Sequence, residues 1–154
     1  ETVREFGGVE HRIEFVRSLD GVAYYNDSIA SSPTRTIAGL RSFNEPIVLI
    51  AGGYDKKISY APLAPEIISN GVKAVLLCGD TADAIERELR NCEGYTEDIM
   101  IKRLSDVPEC VAAAREISEP GDVVLFSPAS ASFDMYANFE ERGKHFKRLV
   151  QELI

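Results

Sequence analysis

The sequence predicts a three-layer α/β domain with a mostly parallel sheet and helices on both faces. Short continuous apolar runs indicate strands at residues 47–50, 75–77, 99–101 and 123–126. Between these runs, apolar residues recur with the spacing of amphipathic helices. Strands that alternate with helices are joined by right-handed crossovers, so they form a parallel sheet. The expected architecture is therefore a Rossmann-like domain.

The first segment predicts a different strand pairing. Apolar and polar residues alternate on either side of Asp20-Gly21, in residues 13–19 and 22–25. An Asp-Gly dipeptide between two β-rich runs is a hairpin signal. We therefore expect the sheet to begin with an antiparallel strand pair.

Helical spacing predicts helices at residues 33–43, 61–70, 81–90, 107–118 and 136–153. Pro33 suits a first helical position after a Ser32 cap, and Gly71 supplies a stop. The last helix is expected to bury Phe139, Phe146, Leu149, Val150 and Leu153, and to leave Arg142, Lys144, Lys147 and Glu152 on the opposite side.

Composition narrows the class of protein. The chain has 154 residues, 45% of them hydrophobic, which is enough for one domain with its own core. A net charge of −8 argues against a nucleic-acid surface, so local cations must hold any anionic ligand.

Cys78, Cys92 and Cys110 have no metal-site spacing and are expected to be buried or half-buried thiols. With no membrane span or leader signal, we expect a cytoplasmic protein.

The segment 127–143, SPASASFDMYANFEERG, is the most informative part of the chain. It places small hydroxyl residues between a buried strand and the start of a helix. Ligands of open α/β sheets bind at such positions, because helix N-terminal amides meet the carboxyl ends of strands there. The segment therefore predicts an anion-binding site.

Two further loops follow predicted strands. Gly52-Gly53 leads to Lys56, where the glycine amides can approach a ligand and the lysine supplies charge; the alternative is a mobile loop with solvated lysines. In the other loop, Asp27 can accept hydrogen bonds from a ribose and Ser31 can hold a carboxylate or phosphate. Here the alternative is ordinary turn and capping chemistry.

These three loops are expected to converge, because the carboxyl ends of parallel strands meet at one edge of the sheet. A Ser-His-Asp hydrolase is poorly supported: no GxSxG elbow is present, and His11 and His145 have no obvious acidic partner. His145 is expected at the surface.

Together, Glu10-His11-Arg12, the residues 25–28, Gly52-Gly53 with Lys56, and the segment 127–143 resemble the C-terminal domain of the Mur ligases. Within that family the order and spacing are most similar to the D-glutamate-adding members. The resemblance runs from about residue 7 to the end, which gives a domain at 9–154 and a linker or cut end at 1–8.

The resemblance implies an ATP-dependent, amide-forming ligase of peptidoglycan synthesis, which adds D-glutamate to UDP-N-acetylmuramoyl-L-alanine through an acyl phosphate. It implies that Ser31, Lys56, Ser132 and Phe139 bind D-glutamate. It also implies that Arg12 and Asp27 contact the nucleotide. ATP and Mg²⁺ would be held mainly by a central domain that is not in this sequence, and no metal ligand is expected here.

Two departures from the family pattern stand out. Where many relatives have a lysine and a threonine after the aspartate, this chain has Ile29 and Ser31. It also has no GK[ST] loop, so the isolated chain is expected to be an inert part of a longer ligase that includes N-terminal and central domains. Two alternatives stay open: the C-terminal domain of another Mur-type or folylpolyglutamate ligase, and a stand-alone nucleotide- or carboxylate-binding module.

Overall fold

A computed structural model describes residues 9–154, so the expected linker at 1–8 lies outside the described residues. Within this range the chain forms a sheet of six strands with five helices. The strands are β1 Glu14–Leu19, β2 Val22–Asn26, β3 Ile47–Ala51, β4 Val72–Leu77, β5 Met100–Arg103 and β6 Val123–Phe126. The helices are α1 Pro33–Leu40, α2 Leu63–Ser69, α3 Ala82–Arg90, α4 Val107–Ile117 and α5 Phe139–Gln151.

The strands lie in the order β1-β2-β6-β3-β4-β5. All neighbouring pairs are parallel except β1 and β2, which are antiparallel as predicted. Leu19 pairs with Val22 across the two-residue turn. Asp20 and Gly21 have φ angles of 52° and 81°, the left-handed values that a tight hairpin turn requires. The predicted hairpin is confirmed.

The sheet separates two apolar layers. One face packs α1, α2 and α3 against side chains such as Leu49 and Val75. The other packs α4 and α5 against the residues that alternate with them, such as Val48 and Phe126. The sheet is therefore covered on both faces, and the predicted three-layer architecture is confirmed.

Helix ends differ from the predictions by a few residues. The last helix begins at Phe139 rather than at position 136, because the Asn138 side chain accepts a hydrogen bond from the Glu141 amide (2.8 Å) and caps the helix there. Ser32 occupies the predicted cap position of α1 before Pro33, but its side chain makes no capping hydrogen bond.

The expected orientation of Arg142 was wrong. This side chain is 1% exposed, whereas the helical pattern had placed it on the polar side of the last helix. Arg142 lies three residues after Phe139 and four before Phe146, so it occupies the turn between two inward-facing positions. Because arginine is charged, it was assigned to the polar face, although its spacing from Phe139 and Phe146 is that of the buried face.

No helix among residues 9–154 is long and apolar enough to cross a membrane.

Candidate functional site

The predicted convergence of three loops is observed. Strands β2, β6 and β3 are adjacent and parallel, so the loops that follow them lie at one edge of the sheet. Two pockets open beside these loops. We call them the lysine pocket and the arginine pocket, after the cations that line them.

The lysine pocket has a volume of about 200 Å³. It brings together all four residues that the family resemblance implied for the amino acid, and three loops contribute to it. Its lining consists of Ser31 from the loop after β2, Lys56 from the loop after β3, Ala131, Ser132, Phe133 and Asn138 from the segment between β6 and α5, and Phe139 at the start of α5.

Electrostatics favour an anion in the lysine pocket. Lys56 is exposed and forms no ion pair with any of residues 9–154, and the lining includes no acid. Asn138 and Phe139 place the N-terminal turn of α5 at the wall, where the helix dipole is positive. Ser132 is 4% exposed, so its hydroxyl lies in a partly desolvated wall. One cation, hydroxyl donors and a helix N-terminus together suit a carboxylate.

Buried hydrogen bonds hold the wall that follows β6. The Ser130 hydroxyl lies 2.9 Å from the Tyr60 hydroxyl and 2.8 Å from that of Thr81. The Tyr60 hydroxyl also donates to the Ala129 carbonyl at 3.0 Å. These contacts tie the loop to two other parts of the fold, so the segment that carries Ser132 is fixed in place.

The amides of Gly52 and Gly53 do not face a ligand, contrary to the sequence interpretation. Gly52 donates to the Pro128 carbonyl (2.9 Å), and Gly53 donates to the Thr81 hydroxyl (3.0 Å). A Cβ atom at Gly52 would lie 1.9 Å from the Cys78 carbonyl oxygen. The glycines are therefore needed for close packing between loops, and of this motif only Lys56 lines a pocket.

The arginine pocket has a volume of about 490 Å³ and contains both residues that the sequence suggested for the nucleotide, Arg12 and Asp27. Arg35 adds a second exposed cation that the sequence interpretation missed. Its signal was the position of Arg35 in the first turn of α1, directly after the loop that carries Asp27. Ile13, Ile29, Thr34, Ala38 and Ser42 complete the lining.

Asp27 lies at the floor of the arginine pocket with 2% of its surface exposed. Its Oδ1 accepts a hydrogen bond from the Ile13 amide (3.1 Å), and its Oδ2 accepts one from the Ser127 hydroxyl (2.7 Å). Burial raises the pKa of the Asp27 carboxyl to about 6, although these hydrogen bonds oppose the shift. Asp27 thus joins the residue before β1 to the residue after β6, in addition to lining the pocket.

His11 connects the two pockets. Its side chain is buried, its Nδ1 lies 2.9 Å from the Asn26 amide nitrogen, and its ring contacts that of Phe139 edge to face. Its carbonyl accepts a hydrogen bond from Ile29, a residue of the arginine pocket. Burial lowers the pKa of His11, so the ring is neutral at pH 7. His11 therefore contributes packing, and its Nε2 also lies 3.5 Å from a carboxylate oxygen of Glu10.

The described residues do not fit a magnesium site. Oxygen and nitrogen atoms of Glu10, His11 and Glu14 lie within 4.8 Å of one another. However, the Lys147 ammonium bonds Glu10 at 2.7 Å and Glu14 at 3.1 Å, which makes this group an ion-paired cluster. Asp27 is the one acid among the lining residues of the arginine pocket, and its oxygens already accept hydrogen bonds.

His145 is half-buried rather than fully at the surface. Its Nδ1 lies 2.6 Å from the Tyr136 hydroxyl, and neither residue lines one of the two pockets. The thiols agree with expectation, since Cys78 and Cys110 are buried, Cys92 is intermediate and all three are free.

The sequence match identifies the family, and the fold agrees with it. Residues 11–130 match the family described as "Mur ligase, glutamate ligase domain". The chain therefore belongs to this family, as the motifs had suggested.

Three similar curated proteins are each named UDP-N-acetylmuramoylalanine--D-glutamate ligase. That of Acetivibrio thermocellus is 56% identical over 151 residues, which cover 96% of this chain and 32% of that protein. The identity is 55% over 153 residues for Symbiobacterium thermophilum and 51% over 154 residues for Clostridium tetani, with 99% of this chain and 33% of each relative covered. The chain thus spans about a third of the length of these relatives.

Solved structures agree with the fold. A murein peptide ligase from Psychrobacter arcticus superposes with a TM-score of 0.64 at 14% identity, over 97% of this chain and 32% of that one. A bifunctional folylpolyglutamate and dihydrofolate synthase from Yersinia pestis, solved with AMPPNP and a manganese ion, gives 0.56 at 15% identity, over 93% of this chain and 32% of that one. At these identities the likeness establishes the fold alone.

Proposed function

We propose that this chain is the amino-acid-binding C-terminal domain of an ATP-dependent ligase that adds D-glutamate to UDP-N-acetylmuramoyl-L-alanine. The observation that supports this most is the lysine pocket, where Lys56, Ser31 and Ser132 line one cavity without an acid among them. The names of relatives at 50–56% identity point to the same acceptor. The corresponding location is the cytoplasm, and the process is peptidoglycan synthesis.

The lysine pocket would orient the incoming D-glutamate. The Lys56 ammonium offers a charge-assisted hydrogen bond to a carboxylate, and the hydroxyls of Ser31 and Ser132 offer further donors. Phe139 would bound the pocket on one side. Holding both carboxylates leaves the amine free to attack the acyl phosphate, so the contribution of this domain is positioning.

The arginine pocket would receive part of the nucleotide. Arg12 and Arg35 present guanidinium groups that suit phosphate oxygens, and the Asp27 carboxyl at the floor would be the acceptor for a ribose hydroxyl. ATP supplies the phosphoryl group that activates the muramoyl-alanine carboxylate. The other domains of the longer protein would hold most of the nucleotide and the Mg²⁺ ion, and the isolated chain would be inactive.

The decisive experiment measures phosphate release by the full-length protein with ATP and UDP-N-acetylmuramoyl-L-alanine. D-glutamate, L-lysine and meso-diaminopimelate are compared as acceptors. Release that requires D-glutamate supports the proposal. Turnover with another acceptor would contradict the proposed substrate, and no turnover with any of them would favour a folate-type ligase or a binding module.

A further inference from the structure

Arg142 is a fully buried cation that the proposed chemistry has not used. Its Nε donates to the Ser28 hydroxyl (3.0 Å), its Nη1 to the Ser130 carbonyl (2.9 Å) and its Nη2 to the Ser28 carbonyl (2.7 Å). All these acceptors are neutral. Among residues 9–154, Asp134 has the largest favourable electrostatic effect on Arg142, yet it forms no ion pair with it. The positive charge is therefore not neutralised by direct contact.

Burial of an uncompensated charge opposes folding. Burial accordingly lowers the pKa of the Arg142 guanidinium to about 10, but the group remains protonated at neutral pH. A permanent cation thus lies inside the domain, held by backbone and hydroxyl oxygens. An anion bound nearby would supply the close negative charge that no ion pair with residues 9–154 provides.

The contacts of Arg142 lead to the lysine pocket. Nη2 lies 3.5 Å from the hydroxyl of Ser31, which lines that pocket. The Ser130 carbonyl immediately precedes Ala131 and Ser132, which also line it. The guanidinium is therefore separated from the cavity only by the Ser31 hydroxyl. It also contacts the residue that precedes the wall segment 131–132.

A fourth connection reaches the start of α5. The Ser28 hydroxyl, which accepts from Arg142, donates to the carbonyl of Phe139 at 2.7 Å. Arg142 thereby ties the loop after β2, the loop after β6 and its own helix into one unit. These are three of the structural parts that form the lysine pocket, and Lys56 supplies the fourth.

We propose that Arg142 is a positioning residue that sets the lysine pocket for an acceptor with two carboxylates. It fixes Ser31 and the segment 130–132 in the pocket wall. Its positive charge favours binding of one ligand carboxylate beside Ser31, while Lys56 binds the other carboxylate at the exposed side of the pocket. Because the Ser31 oxygen faces the guanidinium, its hydrogen is left to donate to the ligand. This inference rests on the proposed function, since it names what selects the acceptor.

The test uses the full-length enzyme with Arg142→Met, Arg142→Lys and the control Arg148→Met, an exposed arginine on the same helix. Loss of the charge in Arg142→Met is expected to raise the KM for D-glutamate by at least about tenfold, with a change of less than about twofold in the KM for ATP. Arg142→Lys keeps the charge but loses the planar guanidinium with its paired donors. Its KM for D-glutamate should therefore lie between those of wild type and Arg142→Met. The control should match wild type.

A double-mutant cycle with Ser31→Ala separates positioning from simple loss of stability. If Arg142 acts through Ser31, Arg142→Met will raise the KM for D-glutamate much less in the Ser31→Ala background than in wild type. Thermal unfolding identifies any variant that does not fold. Should Arg142→Met fail to fold, Arg142→Lys and its cycle with Ser31→Ala carry the test.

Three results would overturn the inference: an unchanged KM for D-glutamate in a folded Arg142 variant, equal increases in the KM values for D-glutamate and ATP, or full additivity with Ser31→Ala. These are distinct from failure of the proposed function. That failure would appear in the wild-type enzyme, as absence of phosphate release with D-glutamate.

Discussion

The arginine pocket and the lysine pocket lie at the same edge of one sheet but are built differently. The first measures about 490 Å³ and presents two exposed guanidinium groups above the buried Asp27 carboxyl. The second measures about 200 Å³ and presents one ammonium with hydroxyls, and its lining has no acid. Both pockets lie at the kind of sheet edge where open α/β sheets bind ligands, and they differ in the loop residues that line them.

The largest expected effect is on stability, and it comes from the buried Asp27 carboxyl of the arginine pocket. Burial raises the pKa of Asp27 to about 6 in the folded chain, whereas a free aspartate carboxyl has a pKa of about 3.8. As pH rises between these values, the unfolded chain releases the proton first, so the contribution of Asp27 to stability falls. Asp27→Asn removes this titration. Relative to the wild type, the unfolding free energy of Asp27→Asn should therefore increase by on the order of 3 kcal/mol as the pH rises from about 4 to about 7.

Denaturant unfolding of both chains across this pH range gives the measurement. Other acids titrate in both proteins, so the difference between the two curves isolates Asp27. Parallel curves would show that the carboxyl is not desolvated as described.

Removal of the lysine pocket's exposed cation should affect one substrate selectively. In the full-length enzyme, Lys56→Ala is expected to raise the KM for D-glutamate by about 100-fold, because a charge-assisted hydrogen bond to a carboxylate is lost. The KM for ATP should stay nearly unchanged. The control is Lys57→Ala, whose exposed ammonium faces Asp55 at 3.5 Å instead of lining the pocket. Equal increases for both substrates would contradict the division between the pockets.

Arg12→Ala should give the reverse pattern. The KM for ATP is expected to rise by about tenfold, less than in the previous case because the group is exposed and screened by solvent. The KM for D-glutamate should not change. Arg41→Ala is the matched control, since Arg41 is an exposed arginine at the end of α1 that pairs with Glu66. An Arg12 variant that weakens D-glutamate instead would remove this residue from the nucleotide site.

The smallest expected effect concerns a neutral donor in the lysine pocket. Ser132→Ala removes one hydroxyl and should raise the KM for D-glutamate by about fivefold, in line with a single neutral hydrogen bond. Ser69→Ala, which removes an exposed hydroxyl bonded to the Pro65 carbonyl, serves as the control. A Ser132 effect as large as that of Lys56 would mean that the variant disturbs the loop.

The comparison also shows what the sequence could predict. The buried strands were predictable because parallel strands covered on both faces need continuous apolar runs, and the hairpin because Asp20-Gly21 fits its turn. The two sets of site residues were assigned from the resemblance to the Mur ligases, and each set lines one pocket.

Other features depend on contacts between distant segments. The burial of Arg142 depends on Ser28, 114 positions away in sequence. The need for Gly52 arises from a carbonyl on another strand end, Cys78. Local periodicity carries no signal for such pairings. Arg142 was therefore assigned to solvent although it is buried, and the amides of Gly52 and Gly53 were assigned to a ligand although they bond other loops.

The most direct test of the two-pocket account is a crystal structure of the full-length enzyme with D-glutamate and a non-hydrolysable ATP analogue. The account predicts a D-glutamate carboxylate within hydrogen-bond distance of Lys56 and the hydroxyls of Ser31 and Ser132. It predicts nucleotide atoms against Arg12 in the arginine pocket. D-glutamate bound in the arginine pocket, or nucleotide in the lysine pocket, would contradict it.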